Sequence, residues 1–260
     1  VRGFRPIVEI MFGDFLTLCL DQLLQHAAKF RGMYNDRVRV PLLVRTPMGG
    51  KRGYGPTHSQ SIEKFFVGIP GLQVVALNDR IPPGDVYQQL LQESDPSLVI
   101  ENKVLYTRPL RRPGDSPFRI HVSDEDYPTL RLTMDDLRPD VTVFCYGEML
   151  QTVEEAAIQA FREQEVITEI ICPVRIHPLS VDPCANSVAQ SRRLVTVEEG
   201  PTTAAVGSEL TARLLEHGVP MSALRRLGND GVVPCAIRAE VNTLPNRESV
   251  ARTVCEVARQ

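Results

Sequence analysis

The chain has 260 residues, 43% of them hydrophobic and 23% charged, a globular composition that excludes disordered and fibrous classes. Its formal charge of −3, from 29 Lys+Arg against 32 Asp+Glu, lacks the basic excess of a nucleic-acid binder. No apolar run reaches membrane-spanning length and no secretory or transit pattern is legible at the start. The expectation is therefore a soluble protein of the cytoplasm, or of the mitochondrial matrix in a eukaryote, with no nucleic-acid or membrane partner.

Strand-type and helix-type runs alternate along the chain. Phe4–Ile10 reads as a strand and Asp14–Phe30 as a helix opened by an aspartate, with Leu16, Leu20, Leu23, Leu24, Ala27 and Ala28 at helical intervals. Val40–Val44, Leu72–Leu77 and Leu98–Ile100 read as buried strands, the last two separated by a helix around Val86–Leu91. From Arg108 to Asp140 the rhythm stops, and Arg111-Arg112-Pro113-Gly114-Asp115 marks an exposed linker. Alternation returns with a strand at Val141–Tyr146, a helix at Glu148–Glu163 and strands at Ile167–Ile171 and Leu194–Val197. Helices over Ala204–His217 and Glu248–Ala258 complete the pattern. The expected fold is α/β, with two doubly wound domains at 1–107 and 141–260 and a linker at 108–140.

None of the six cysteines forms a CxxC pair or stands at zinc-site spacing to a histidine, so they read as reduced core thiols. The segment with the most chemistry is Thr46–Ser61, TPMGGKRGYGPTHSQS, a glycine-rich loop after a strand. Glycines allow close backbone approach to a ligand, and α/β folds place sites at the carboxyl ends of strands. It is neither a Walker loop, since Lys51 is followed by Arg52, nor a GxGxxG fingerprint, since His58 stands at the third glycine position. His58 could shuttle protons or could simply bond to backbone at a helix start. Glu198-Glu199-Gly200 could do acid–base work, but a solvated strand end is the expectation.

An ordered set of motifs resembles the beta subunit of 2-oxo acid dehydrogenases. It runs through Gly3-Phe4-Arg5-Pro6-Ile7-Val8-Glu9-Ile10, Phe12-Gly13-Asp14-Phe15, Arg45-Thr46-Pro47 and His58-Ser59-Gln60-Ser61. It continues through Pro70-Gly71-Leu72-Gln73-Val74-Val75, Ile100-Glu101-Asn102-Lys103 and Arg193-Leu194-Val195-Thr196-Val197-Glu198-Glu199-Gly200. The resemblance implies a transketolase-like pyrimidine-binding domain, lacking its N-terminal part, and a transketolase C-terminal-like domain. It also implies thiamine diphosphate as cofactor, in an enzyme that decarboxylates pyruvate or a branched-chain 2-oxo acid and passes the acyl group to a lipoyl arm. In such enzymes an alpha subunit or domain holds the diphosphate and Mg²⁺, and this sequence has no Gly-Asp-Gly for that task. The implied partners are that alpha chain, a second beta chain and a dihydrolipoyl acyltransferase core, in a heterotetramer.

Residue by residue, the resemblance makes His58 the active-site histidine and Phe15 the aromatic that packs on the pyrimidine; plain helix-start core is the alternative for Phe15. It places a monovalent cation, K⁺, on the main-chain oxygens of Leu42, Leu90, Leu91, Glu93 and Asp95. The family's catalytic glutamate lies upstream of the Gly-x-Arg-Pro segment, so the stretch from Val1 is expected to be catalytically incomplete by itself. A non-catalytic assembly piece, or another transketolase-superfamily enzyme, is the competing expectation.

Overall fold

The computed structural model describes residues 3–134 and 137–260. Its strands are β1 (Ile7–Glu9), β2 (Leu43–Met48), β3 (Gln73–Ala76), β4 (Ser97–Asn102), β5 (Arg119–Val122), β6 (Thr129–Thr133), β7 (Val141–Cys145), β8 (Thr168–Pro173), β9 (Arg175–His177), β10 (Arg193–Val197) and β11 (Ala223–Leu227). The α-helices are α1 (Phe30–Met33), α2 (Pro83–Leu90), α3 (Met149–Gln164), α4 (Asp182–Ser191), α5 (Val206–Glu216), α6 (Ile237–Thr243) and α7 (Arg247–Ala258). One sheet runs β1-β2-β4-β3-β9 and the other β11-β10-β7-β8-β6-β5. The central strands are parallel, whereas β9 on the first sheet and β6 and β5 on the second are antiparallel, so both sheets are mixed.

The continuous apolar runs follow from burial on both faces. Successive residues point to opposite sides of a strand, and the two core clusters divide them accordingly. Leu43, Val75 and Val99 pack with Val143, Leu150 and Val195, while Val44, Val74 and Leu98 pack with Phe144, Ile171 and Leu194. Each cluster draws on both sheets. The halves therefore share their core instead of meeting at a wetted seam.

Three expectations need correction. The 108–140 segment is no exposed linker: it carries β5 and β6, which extend the second sheet, and Phe118, Tyr127, Leu130 and Leu132 are buried. Two short strands around the acidic turn Ser123–Asp126 give too few alternating residues to outweigh the prolines and charges. Asp135 and Asp136 of that segment lie outside the described residues. The expected helix over Asp14–Phe30 is broken into a 3₁₀ turn at Gly13–Cys19, a π-type turn at Gln22–Ala27 and the short α1. Asp14 does not cap it; its carboxylate accepts from the backbone N–H and side-chain amide of Gln60, 3.2 and 2.9 Å away. The strand expected at Phe4–Ile10 shortens to β1, an exposed edge.

One buried ion-pair network locks the two halves. Arg80, after β3, makes a two-pronged contact with Glu154 of α3 at 2.9 and 2.6 Å, and both side chains are buried. Arg111 bridges Asp79 and Glu154, and the Ser116 hydroxyl also donates to Glu154. Removing one member strands the others without water. Glu154→Ala is expected to lower unfolding stability by about 3–5 kcal/mol, read by denaturant titration.

Candidate functional site

The loops at the carboxyl ends of β2 and β4 face the 3₁₀ turn after β1, and aromatic rings gather there. The Phe12 and His58 rings lie 4.9 Å apart edge-on, Phe15 and His58 5.2 Å, Phe12 and Phe15 6.0 Å, and Phe12 and Tyr54 6.1 Å. The structure thus brings Phe15 and His58 together. Phe15 is 36% exposed and Tyr54 54%, so the cluster presents an open aromatic surface. The His58 Nδ1 lies 2.9 Å from the Thr57 hydroxyl. Lys103, directly after β4, is buried; its ammonium donates to the His58 carbonyl oxygen and lies 5.4 and 5.3 Å from the Phe12 and Tyr54 ring centroids.

The glycine loop is shaped by the second half of the chain. Gly49 has φ +92°, and a side chain there would meet the Asn102 amide at 2.3 Å, so glycine is required on both grounds. The Gly50 N–H donates to Glu199 and the Gly53 N–H to Glu240 of α6. Both amides thus already serve protein carboxylates, and the loop is a clasp rather than a phosphate cradle.

Glu198 and Glu199 are buried, against the expectation of a solvated strand end. Glu199 accepts from Ser61 at 3.2 Å and Asn102 at 2.9 Å besides Gly50. Glu198 accepts from the Val206 and Gly207 amides at the start of α5, at 3.0 and 2.8 Å. The Tyr146 hydroxyl sits 2.6 Å from Glu63 and 3.0 Å from Glu198, but carries one proton for two carboxyl groups. A chamber of about 30 Å³ beside Ser61, Glu63, Tyr146, Glu148 and Glu199 has room for water. Burial pushes the Glu63 carboxyl up, Glu198 up to about 7, and, with the adjacent Glu148 carboxylate, Glu199 up to about 8. These acids hold protons in the fold that the unfolded chain has released above its ordinary carboxylate range near 4.5. Stability is therefore lost as pH rises from about 5 through 8. Thermal melts across that window are expected to decline in the native chain and to decline less steeply in Glu199→Gln, where Glu198 and Glu63 still titrate.

The residues expected to hold a cation also come together. Leu42, Leu90, Leu91 and Asp95 line one small recess with Arg5, whose guanidinium donates to the Glu93 carbonyl oxygen. The Leu42 and Leu90 carbonyls accept from the Ser97 and Glu93 amides at 2.9 and 3.1 Å, and the Asp95 carboxylate pairs with Arg31 at 2.5 Å. The sequence reading gave no role to Phe12, Tyr54, Lys103 or Glu240. The available signal for Lys103 was its position just past a buried strand.

Comparison with known proteins fits this architecture. Residues 1–109 match the transketolase pyrimidine binding domain and residues 132–250 the transketolase C-terminal domain. The acetoin:2,6-dichlorophenolindophenol oxidoreductase subunit beta of Bacillus subtilis is 31% identical over 219 residues, covering 83% of this chain and 60% of that one. The 3-methyl-2-oxobutanoate dehydrogenase subunit beta of Mycobacterium tuberculosis is 31% identical over 263 residues, covering 100% and 73%. The mitochondrial pyruvate dehydrogenase E1 component subunit beta-1 of Oryza sativa is 28% identical, covering 96% and 67%. A solved split-gene transketolase, an inactive beta4 tetramer, shares the fold with TM-score 0.71 at 15% identity, over 99% of this chain and 77% of that one. The chain thus spans 60% of the Bacillus relative and 73% of the mycobacterial one. With two consecutive transketolase-type domains and a 31% identical relative aligned over the whole of this chain, the chain belongs to the family of 2-oxo acid dehydrogenase beta subunits.

Proposed function

We propose that this chain is the beta part of a thiamine-diphosphate enzyme that oxidatively decarboxylates pyruvate or a branched-chain 2-oxo acid. The observation that carries this reading is the open aromatic surface of Phe12, Phe15 and His58 at the carboxyl ends of β2 and β4, in a chain of this family. Phe15 offers an edge and face to an aminopyrimidine ring. The diphosphate and its Mg²⁺ belong to an alpha chain or domain, because the Gly50 and Gly53 amides already serve carboxylates.

The bound cofactor supplies the electron sink for decarboxylation. The bond between the carboxylate and the 2-oxo carbon breaks and carbon dioxide leaves. The acyl carbon is oxidised as a lipoyl disulfide is reduced: one sulfur takes the acyl group as a thioester and the other takes a proton. His58 holds or moves a proton near the reacting acyl oxygen, with Nδ1 steadied by the Thr57 hydroxyl, which leaves Nε2 as the nitrogen for that role. Partner contacts fall to the exposed apolar residues Phe4, Ile7, Val8, Met11 and Leu18, which suit the alpha chain and a second beta chain, while the C-terminal half is left to the acyltransferase core.

In complex with its alpha chain, His58→Ala is expected to leave cofactor binding near normal and lower turnover by about 10²–10⁴ in steady-state kinetics. Phe15→Ala instead raises the thiamine diphosphate dissociation constant in calorimetric titration. Unchanged turnover in the first variant refutes the proton role. A monovalent cation at the Leu42, Leu90, Leu91, Glu93 and Asp95 recess would share the Glu93 carbonyl with Arg5. Melting temperature is expected to rise when K⁺ replaces choline, since a ligand of the native state alone stabilises it; equal melts would leave Arg5 as the positive charge there.

A further inference from the structure

We infer that Lys103 is the positioning residue that fixes His58 and the rings around it. Its side chain is buried, at 6% exposure, yet its ammonium is hydrogen-bonded to a neutral group, the His58 carbonyl oxygen. A lysine buried without a directly bonded carboxylate is uncommon and costly. Here the remaining stabilisation comes from two ring faces, Phe12 at 5.4 Å and Tyr54 at 5.3 Å from Nζ. Three separate parts of the site therefore converge on one ammonium: the 3₁₀ turn through Phe12, the glycine loop through Tyr54, and the histidine segment through its backbone.

Burial lowers the proton affinity of that ammonium; the Asp14, Glu199 and Glu240 side chains act in the opposite sense, and Arg52 adds to the net lowering. Asp14 also binds the backbone N–H of Gln60, two residues beyond His58. The histidine segment is thus held at one end by a cation on a carbonyl and at the other by a carboxylate on an amide. Lys103 itself touches the backbone of His58 and not the reacting atoms, so its effect on chemistry passes through placement. A compact ammonium on a flexible stem suits a space between two rings and a carbonyl better than the planar fork of arginine. Asn102 just before it ties Glu199 at 2.9 Å, so the position of the lysine is set by the same clasp that joins the halves.

The placement of His58 is set by contacts within this chain; its consequence for turnover rests on the proposed role of His58. Lys103→Met keeps the stem and removes the charge. In the chain bound to its alpha partner, with labelled histidine, the His58 ring resonances are expected to shift and broaden in this variant. His26, His121, His177 and His217 should stay unmoved, and Lys103→Arg should give an intermediate spectrum. Turnover is expected to fall about 10²-fold in Lys103→Met with KM little changed, as for a misplaced catalytic group. Unmoved His58 resonances in folded Lys103→Met overturn the inference. Moved resonances with unchanged turnover uphold the positioning and overturn the catalytic reading of His58. If Lys103→Met does not fold, Lys103→Arg is read by the same spectrum, and an unmoved His58 there overturns the inference.

Discussion

A carboxylate withdrawn from water must be surrounded by donors or give up its charge, and Glu199 is built around that constraint. It stands just past β10, in the second half of the chain, yet its three donors, the Gly50 amide, the Ser61 hydroxyl and the Asn102 amide, all belong to the first half. Gly50 and Ser61 bracket the loop that carries His58. The shape of that loop is therefore decided as much by a residue 138 to 149 positions away as by its own glycines. Gly200 shows the same intimacy: a side chain there would reach the Ser61 carbonyl oxygen at 2.6 Å.

The carboxyl end of β4 distributes this order through three consecutive residues. Glu101 accepts from Arg45 of β2 at 3.1 and 2.7 Å and from the Tyr87 and Tyr106 hydroxyls, tying strand, helix and following turn. Asn102 reaches across to Glu199 and caps the next turn through the Val104 amide at 3.1 Å. Lys103 turns to His58. Placing such groups at a strand end costs little regularity, because the ladder finishes there and the side chains diverge with the pleat.

This explains what the sequence could and could not convey. The strands β3, β4, β7, β8 and β10 were legible because buried strands are written as largely apolar runs, and α3, α5 and α7 because their spacing repeats over several turns; β2 lies later than the run Val40–Val44 suggests, since Arg45, Thr46 and Pro47 break its apolar pattern. β5 and β6 were not legible, since Arg119, His121 and Arg131 are exposed and break the apolar run within each strand. The meeting of Phe15 with His58 came from likeness to a family, not from periodicity. The burial of Glu198 and Glu199 was illegible because their donors are scattered over Tyr146, Gly50, Ser61, Asn102 and the start of α5. Two adjacent acids at a strand end look the same in sequence whether water or such a shell surrounds them.

The antiparallel strand β9 has a consequence for how the protein is made. Residues Arg175–His177 pair with β3 inside the first sheet, far later in the chain than the rest of that sheet. A ribosome delivering the chain from its N-terminus exposes the open flank of β3 for about a hundred residues of synthesis before its partner emerges. Val174 is equally overdue, since its carbonyl accepts from the Ala76 amide at 2.8 Å. The first half is thus not a module that closes before the second is born. Its sheet is finished by a segment of the other half, and an unpaired flank waiting that long is the kind of template that chaperones shield from wrong neighbours.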